Sequence, residues 1–239
     1  MQVANLKLTG NHDGVLEKSN KTILAIPQTT KVSSYLDGKP IPNESRYKFH
    51  ELGLGRSMII APYVFRDNRG EFLEVFNQMQ FKHLLGIDFV QDCTSISHIH
   101  SLRGFHGDFQ TWKLIFCPKG AVHACIIDLN PSSPTYFQSK EVLIDDTNRL
   151  MLLVPPGFGN SYYTLEKNTV YCYKKTTYFC PGAEFTLDYR CVKWPERFSL
   201  ENKDDPPIMS QRDLNAPIDR LGFERAMKKR SDLVQNPFL

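Results

Sequence analysis

The sequence predicts an all-β sandwich with a few short helices. From Ser57 onward, short apolar segments recur, separated by Gly, Pro, Asn, Asp or Ser. The segments are rich in Val, Ile, Tyr and Phe, and this spacing is typical of sandwiches and barrels. The 239 residues are 41% hydrophobic and 23% charged, and a chain of this length and composition can bury one large hydrophobic core.

The chain divides into three predicted regions. Residues 1–56 are polar and turn-rich, with one strand-like run at residues 21–27, so we expect an N-terminal extension and not an independent domain. Residues 57–198 form the predicted β domain. Residues 199–239 form a predicted C-terminal tail that contains a helix.

Individual elements follow from local patterns. Two helices are predicted, one over residues 77–85 with Met79, His83 and Leu84 on one face, and one over residues 219–234 with a basic outer face. The segment before the second helix looks irregular. The predicted strands lie within residues 57–65, 71–76, 112–117, 121–129, 139–144, 149–155 and 169–179.

Charge and composition exclude several classes of function. The net charge of +3, from 29 basic and 26 acidic residues, is too small to indicate a nucleic-acid-binding protein. No apolar run approaches the roughly 20 residues that cross a bilayer, and the N-terminus lacks a signal-peptide pattern. Six cysteines without a Cys-x-x-Cys pair favour reduced thiols, so we expect a cytoplasmic protein.

Two motifs point to a cupin-like jelly roll. His98, His100 and His106 lie close together in the sequence, and a Pro-Pro-Gly-Phe-Gly turn precedes Asn160. Metal-dependent cupins also need a Glu after the first motif and a His after the turn. Arg103 and Asn160 stand near those places, so we expect no metal. A metal-dependent isomerase or dioxygenase that uses His98, His100 and His123 remains an alternative.

Other side chains suggest proton transfer beside a carbonyl group. A histidine such as His106 titrates near neutrality and can take a proton from carbon, and a carboxylate such as Asp188 could orient it. The ammonium of Lys113 can stabilise an enolate oxygen, and Tyr173 can return a proton from the opposite face. Spacing alone does not show that these four side chains converge.

Residues 58–212 resemble the dTDP-4-dehydrorhamnose 3,5-epimerase family, cofactor-free cupin enzymes of nucleotide-sugar biosynthesis. Many motifs match in order over about two thirds of the chain. They include FRDNRGEFLE (65–74), FVQD (89–92), LRGFH (102–106), PGF (156–158), Tyr173-Lys174, Tyr178, KWP (193–195) and PIMS (207–210).

The resemblance implies roles for particular residues. His106 is then the base, Asp188 its acidic partner, Lys113 the enolate stabiliser and Tyr173 the acid. A neighbouring subunit completes the site in this family, so we expect a homodimer that needs no cofactor. The implied substrate-binding residues are Arg69, Glu74, Gln91, Arg103, Asn160 and Tyr178.

The chain also departs from the family pattern around the sugar pocket. Cys93 and Asn160 replace a usual asparagine and histidine, and Gly107-Asp108 follow the catalytic histidine. The substrate could therefore be a dTDP-, GDP- or CDP-linked 4-keto-6-deoxy hexose or heptose, inverted at C3, C5 or both, in deoxysugar, lipopolysaccharide or capsule biosynthesis. A non-catalytic sugar-nucleotide-binding protein is the remaining alternative.

The geometry of the LRGFH motif raises one difficulty. On a regular strand Arg103 and His106 would point to opposite faces, because side chains alternate. A bulge at Gly104 would let both face the same site. Unbroken alternation, with Arg103 turned to solvent, would remove Arg103 from the site.

Overall fold

The computed structural model of the chain describes residues 35–36, 39–40, 45–194 and 206–235. The predicted strand at residues 21–27 lies outside these residues. The strands are β1 (Tyr35–Leu36), β2 (Lys39–Pro40), β3 (Tyr47–Glu51), β4 (Met58–Pro62), β5 (Val64–Asp67), β6 (Gly70–Leu73), β7 (Gln91–Ser97), β8 (Leu102–Gly107), β9 (Lys113–Lys119), β10 (Ala121–Asp128), β11 (Ser139–Asp145), β12 (Met151–Val154), β13 (Phe158–Thr164), β14 (Thr169–Lys175) and β15 (Phe185–Thr186). The helices are α1 (Gln78–Leu85), α2 (Gln211–Leu214) and α3 (Arg220–Gln235), with a 3₁₀ turn at Tyr189–Cys191.

Two antiparallel sheets form the body of the protein. One has five strands in the order β11-β10-β13-β8-β15, and the other has six in the order β3-β4-β12-β9-β14-β7. The strands β5 and β6 form a separate hairpin. The predicted all-β sandwich is confirmed, and β3 extends the six-stranded sheet into the segment predicted as an extension.

The main apolar core lies between the two sheets. Its members alternate along the strands with residues of the outer faces, as the pleat requires. Ile115 on the six-stranded sheet and Ile126 on the five-stranded sheet belong to this inner core. Two further apolar clusters cover the outer faces, one beneath α1 and one that includes Phe223 of α3.

Helix α1 shows how local signals set an element's ends. Asn77 accepts a hydrogen bond from the Gln80 amide at the N-terminus, and Gly86 ends the helix in the left-handed region at φ 71°. The predicted helix is confirmed, and of the residues predicted to share a face Leu84 is buried. Phe81, Leu84 and Leu85 are buried, whereas Met79 is exposed. No helix among the described residues is both long and apolar enough to cross a bilayer.

Candidate active site

Polar side chains line the inner face of the sandwich at one end. His106 on β8 pairs with Asn160 on β13, which pairs in turn with Ile126 of the inner core. Directly opposite residues of an antiparallel pair share a face, so His106 and Asn160 point between the sheets. Both keep some exposure there, which indicates that solvent reaches this end of the interior.

The LRGFH motif contains the bulge that the sequence suggested. The register of β8 against β13 shifts between the pairs Asn160–His106 and Tyr162–Arg103, so β8 carries one extra residue. Because of this shift, Arg103 and His106 share the inner face. The neighbouring apolar residues Leu102 and Phe105 share the outer cluster instead. Arg103 is exposed, and its Nε donates to the Ser97 hydroxyl over 3.2 Å.

The acidic partner of His106 is Asp213, from α2. His106 Nε2 lies 2.5 Å from Asp213 Oδ1, and the Gly104 amide donates to Asp213 Oδ2 over 3.3 Å. The histidine side chain is 28% exposed and the aspartate only 3%. The histidine is therefore accessible while its carboxylate partner is shielded from water.

The predicted pairing of His106 with Asp188 is wrong. Asp188 caps the 3₁₀ turn by accepting from the Arg190 amide at 2.8 Å. Its carboxylate also binds the Arg190 guanidinium at 2.8 Å. The capping role and the adjacent arginine occupy both carboxylate oxygens, and no hydrogen bond joins Asp188 to His106 in the described part of the chain.

A helix-capping signal marks the position of Asp213 in the sequence. Ser210 caps α2 by accepting from the Asp213 amide at 3.2 Å, in the Ser-x-x-Asp pattern typical of a helix start. The irregular segment predicted before the second long helix therefore contains a short helix, and Asp213 was not among the predicted site residues. Burial acts to raise the pKa of Asp213, but hydrogen bonds from His106, Gly104 and Ser210 hold it below the usual value.

Lys113 of β9 connects the two sheets. Its ammonium donates to the backbone oxygen of His106 at 3.2 Å and to Asn160 Oδ1 at 3.1 Å. Burial lowers the pKa of Lys113 to about 8, against the opposing charges of Glu184 and Asp108. An ammonium has three donors, so a third N–H is available to a substrate.

Two tyrosines of β14, in the six-stranded sheet, complete this group. The Asn160 amide donates to the Tyr171 hydroxyl at 3.3 Å, and the Tyr171 and Tyr173 ring centroids lie 6.3 Å apart. Tyr173 pairs with Ile115 of the inner core and so points between the sheets. We call the group formed by His106, Asn160, Lys113 and Tyr173 the inner cleft.

The chemical state of Tyr173 suits a proton donor. Burial raises the pKa of its hydroxyl above the usual value, and the adjacent Cys93 raises it further. The phenol therefore keeps its proton at neutral pH. An imidazole with a carboxylate partner, an ammonium and a protonated phenol together can remove a proton from carbon and return it.

Several other predicted substrate-binding residues lie apart from the inner cleft within this chain. Arg69, at the turn of the β5–β6 hairpin, binds Asp67 over 2.6 Å. Glu74 accepts from the Tyr47 hydroxyl at 3.2 Å, and Tyr178 is exposed beyond β14. Gln91 differs from these three residues. It pairs with Lys175 and faces the interior.

The histidines of the alternative metal site are not brought together. His123 lies on the outer face, where its Nε2 contacts Glu141 over 3.0 Å and its ring packs 5.6 Å from Trp194. His100 stacks on Tyr163. Within the described ranges, no three His, Cys, Asp or Glu side chains converge as metal ligands would.

The chain is similar to known proteins of one family. The sequence model of one family, described as dTDP-4-dehydrorhamnose 3,5-epimerase, matches residues 51–219. The protein of that name from Escherichia coli K12 is 34% identical over 152 residues, which cover 60% of this chain and 82% of the relative. The one from Salmonella typhimurium is 34% identical over 170 residues, covering 67% and 89%.

Solved structures show the same relationship. The dTDP-4-dehydrorhamnose 3,5-epimerase of Sulfolobus tokodaii superposes with a TM-score of 0.65 at 31% identity, covering 73% of this chain and 96% of its own. The Legionella pneumophila enzyme, solved with dTDP-4-keto-L-rhamnose, has a TM-score of 0.65 at 29% identity. It covers 72% of this chain and 92% of its own.

Proposed function

Because this chain belongs to the dTDP-4-dehydrorhamnose 3,5-epimerase family, it is an isomerase of the epimerase class, and we propose that it inverts C3, C5 or both in a dTDP-linked 4-keto-6-deoxy sugar. The observation that carries the proposal is the pairing of His106 with the buried Asp213 at the inner cleft. Membership of the family supports a reaction in deoxysugar biosynthesis, and surface polysaccharide is the proposed destination of the product.

His106 is the proposed general base. The Asp213 carboxylate accepts a hydrogen bond from Nε2–H. This favours the neutral tautomer of His106 in which Nδ1 carries no proton. Nδ1 then takes the proton from the carbon next to the C4 ketone. The imidazolium that forms is stabilised by Asp213, which stays ionised because its pKa is held low.

Lys113 is the proposed stabiliser of the enolate. Proton removal moves the electron pair of the C–H bond into the ring and places negative charge on the C4 oxygen. A buried ammonium stabilises this developing charge more strongly than a solvated one could. Below a pH of about 8 Lys113 is protonated and can act in this way.

Tyr173 is the proposed acid on the other side of the sugar. It stands on the six-stranded sheet, whereas His106 stands on the five-stranded sheet. Inversion requires that the new C–H bond form on the face opposite the one that lost its proton. A base and an acid on two facing sheets supply this arrangement.

Arg103, Asn160 and Gln91 are the proposed binding residues on this chain, since all three face the interior. Arg69, Glu74 and Tyr178 have no described contact with the inner cleft. We propose that a second copy of the chain brings Arg69 and Glu74 to the site in a homodimer, and that Tyr178 approaches the nucleotide.

Solvent deuterium exchange tests the proposed function. The protein is incubated in D₂O with dTDP-, GDP- and CDP-linked 4-keto-6-deoxy sugars, and C3 and C5 are followed by NMR. We expect exchange and inversion with the dTDP-linked sugar. Binding without exchange in the whole panel would instead identify a non-catalytic sugar-nucleotide-binding protein and overturn the proposal.

A further inference from the structure

Lys175, the last residue of β14, is a buried cation to which the reaction above gives no role. It is only 4% exposed. It pairs with Lys113 on β9 and with Gln91 on β7, so the three side chains form a row across the inner face. We call Lys113, Lys175 and Gln91 the polar row.

Lys175 places a second positive charge directly beside that of Lys113. Lysine is almost never fully buried without a partner, and like charges directly opposite each other on a sheet are destabilising. In residues 45–194 and 206–235, no carboxylate forms an ion pair with the Lys175 ammonium. Its described contact is with the ring of Phe179, whose centroid lies 5.6 Å away.

Lys174, the neighbouring residue on β14, forms an ion pair with Asp92. Lys174 points to the other face of the sheet, and its ammonium lies 2.8 Å from both carboxylate oxygens of Asp92. The two lysines are neighbours in sequence and differ in surroundings. Lys174 therefore serves as a matched control for Lys175.

Gln91 supplies a second observation at the same place. Its Oε1 is buried and accepts no hydrogen bond from the described residues. A buried acceptor without a donor destabilises the folded state. A donor on Lys175 and an acceptor on Gln91 thus stand side by side on adjacent strands.

We propose that Lys175 and Gln91 hold one hydroxyl group of the substrate sugar, which makes Lys175 a specificity-determining residue. A hydroxyl both accepts and donates, so it can take a hydrogen bond from the Lys175 ammonium and give one to Gln91 Oε1. This inference rests on the proposed function and narrows its substrate class. The preferred sugar carries a hydroxyl on the side that faces β7.

Binding measurements with matched sugars test the inference. Calorimetry gives Kd values for dTDP-linked 4-keto-6-deoxy hexoses that differ by one hydroxyl, at C2 or C3, with the wild type, Lys175→Met and Lys174→Met. A hydrogen bond to a charged group contributes about 1.5–3 kcal/mol, so we expect Lys175→Met to weaken binding about 10- to 150-fold. The loss should vanish for the one analogue that lacks the recognised hydroxyl. Lys174→Met should bind every sugar as the wild type does.

A thermal-unfolding measurement separates recognition from a structural role. We expect Lys175→Met to unfold at the same temperature as the wild type or higher, because it removes a charge opposite Lys113. Gln91→Met probes the same hydroxyl from the acceptor side, and its loss should vanish with the same analogue. This second variant also serves if Lys175→Met does not fold.

An equal loss for every sugar, or no loss for any, would overturn the inference. Exchange assays with the wild type keep this result distinct from failure of the proposed function. If the wild type exchanges deuterium but no hydroxyl depends on Lys175, only the inference fails. If the wild type exchanges with no sugar, the proposed function fails first.

Discussion

Two histidine–carboxylate pairs occupy opposite faces of the five-stranded sheet. His106 and Asp213 meet on the inner face at 2.5 Å, and His123 and Glu141 meet on the outer face at 3.0 Å. Their exposure is reversed. His106 is 28% exposed with a partner at 3%, whereas His123 is 2% exposed with a partner at 27%.

The contrast shows that a histidine with a carboxylate partner can stand in two different environments. A general base needs an accessible ring nitrogen and a shielded partner, and of these two histidines His106 has both. His123 instead fills space beside Trp194 within the outer apolar cluster. We therefore expect the same pair of residue types to serve the proposed reaction on one face and packing on the other.

The largest expected effect separates the two histidines. His106→Ala should lower the rate of deuterium exchange by about 10²–10⁴, the usual contribution of a general base. His123→Ala should keep exchange within about threefold of the wild type and lose about 1–3 kcal/mol of folding free energy, or roughly 2–10 °C in Tm. Similar exchange losses in both variants would remove the distinction.

A second prediction distinguishes the proposed role of Tyr173, on the six-stranded sheet, from that of His106, on the five-stranded sheet. Tyr173→Phe should lower the rate of inversion by about 10² because the donating phenol is lost. Exchange should continue, since His106 can still remove and return the proton on its own side. Proton NMR in D₂O follows both processes at once, and a parallel loss of exchange would place Tyr173 in the abstraction step.

A third, smaller effect concerns pH. Because the pKa of Lys113 is lowered to about 8, its ammonium is present below that pH and lost above it. We expect kcat/KM to fall above a pH of about 8. The arginine in Lys113→Arg keeps its charge throughout this range. The pH profile of kcat/KM for this variant should therefore show no fall near pH 8. If kcat/KM of Lys113→Arg still falls near pH 8, the titrating group is not Lys113.

The β scaffold was largely predictable from the sequence, because alternating apolar segments and turn residues act locally. The bulge at Gly104 was also predictable, since Arg103 and His106 could share a face only through it. The identity of the acidic partner was not. Asp213 lies 107 residues beyond His106 in sequence, and only the packing of α2 against β8 brings the two together.

Asp188 shows why proximity in a motif is misleading. It stood in the expected segment, but Arg190 two residues later binds its carboxylate. Lys175 illustrates a further limit of sequence reasoning. Its place beside Lys113 depends on the register between β9 and β14, which no local pattern reveals.

The most direct test of the account compares two matched variants, Asp213→Asn and Asp188→Asn, in the exchange assay. An asparagine at position 213 no longer fixes the reactive tautomer of His106 or stabilises its imidazolium, so we expect exchange to fall by about 10²-fold or more. Asp188→Asn keeps a capping side chain and should exchange at a rate near that of the wild type. Loss of exchange in Asp188→Asn with normal rates in Asp213→Asn would contradict the assignment of the catalytic pair.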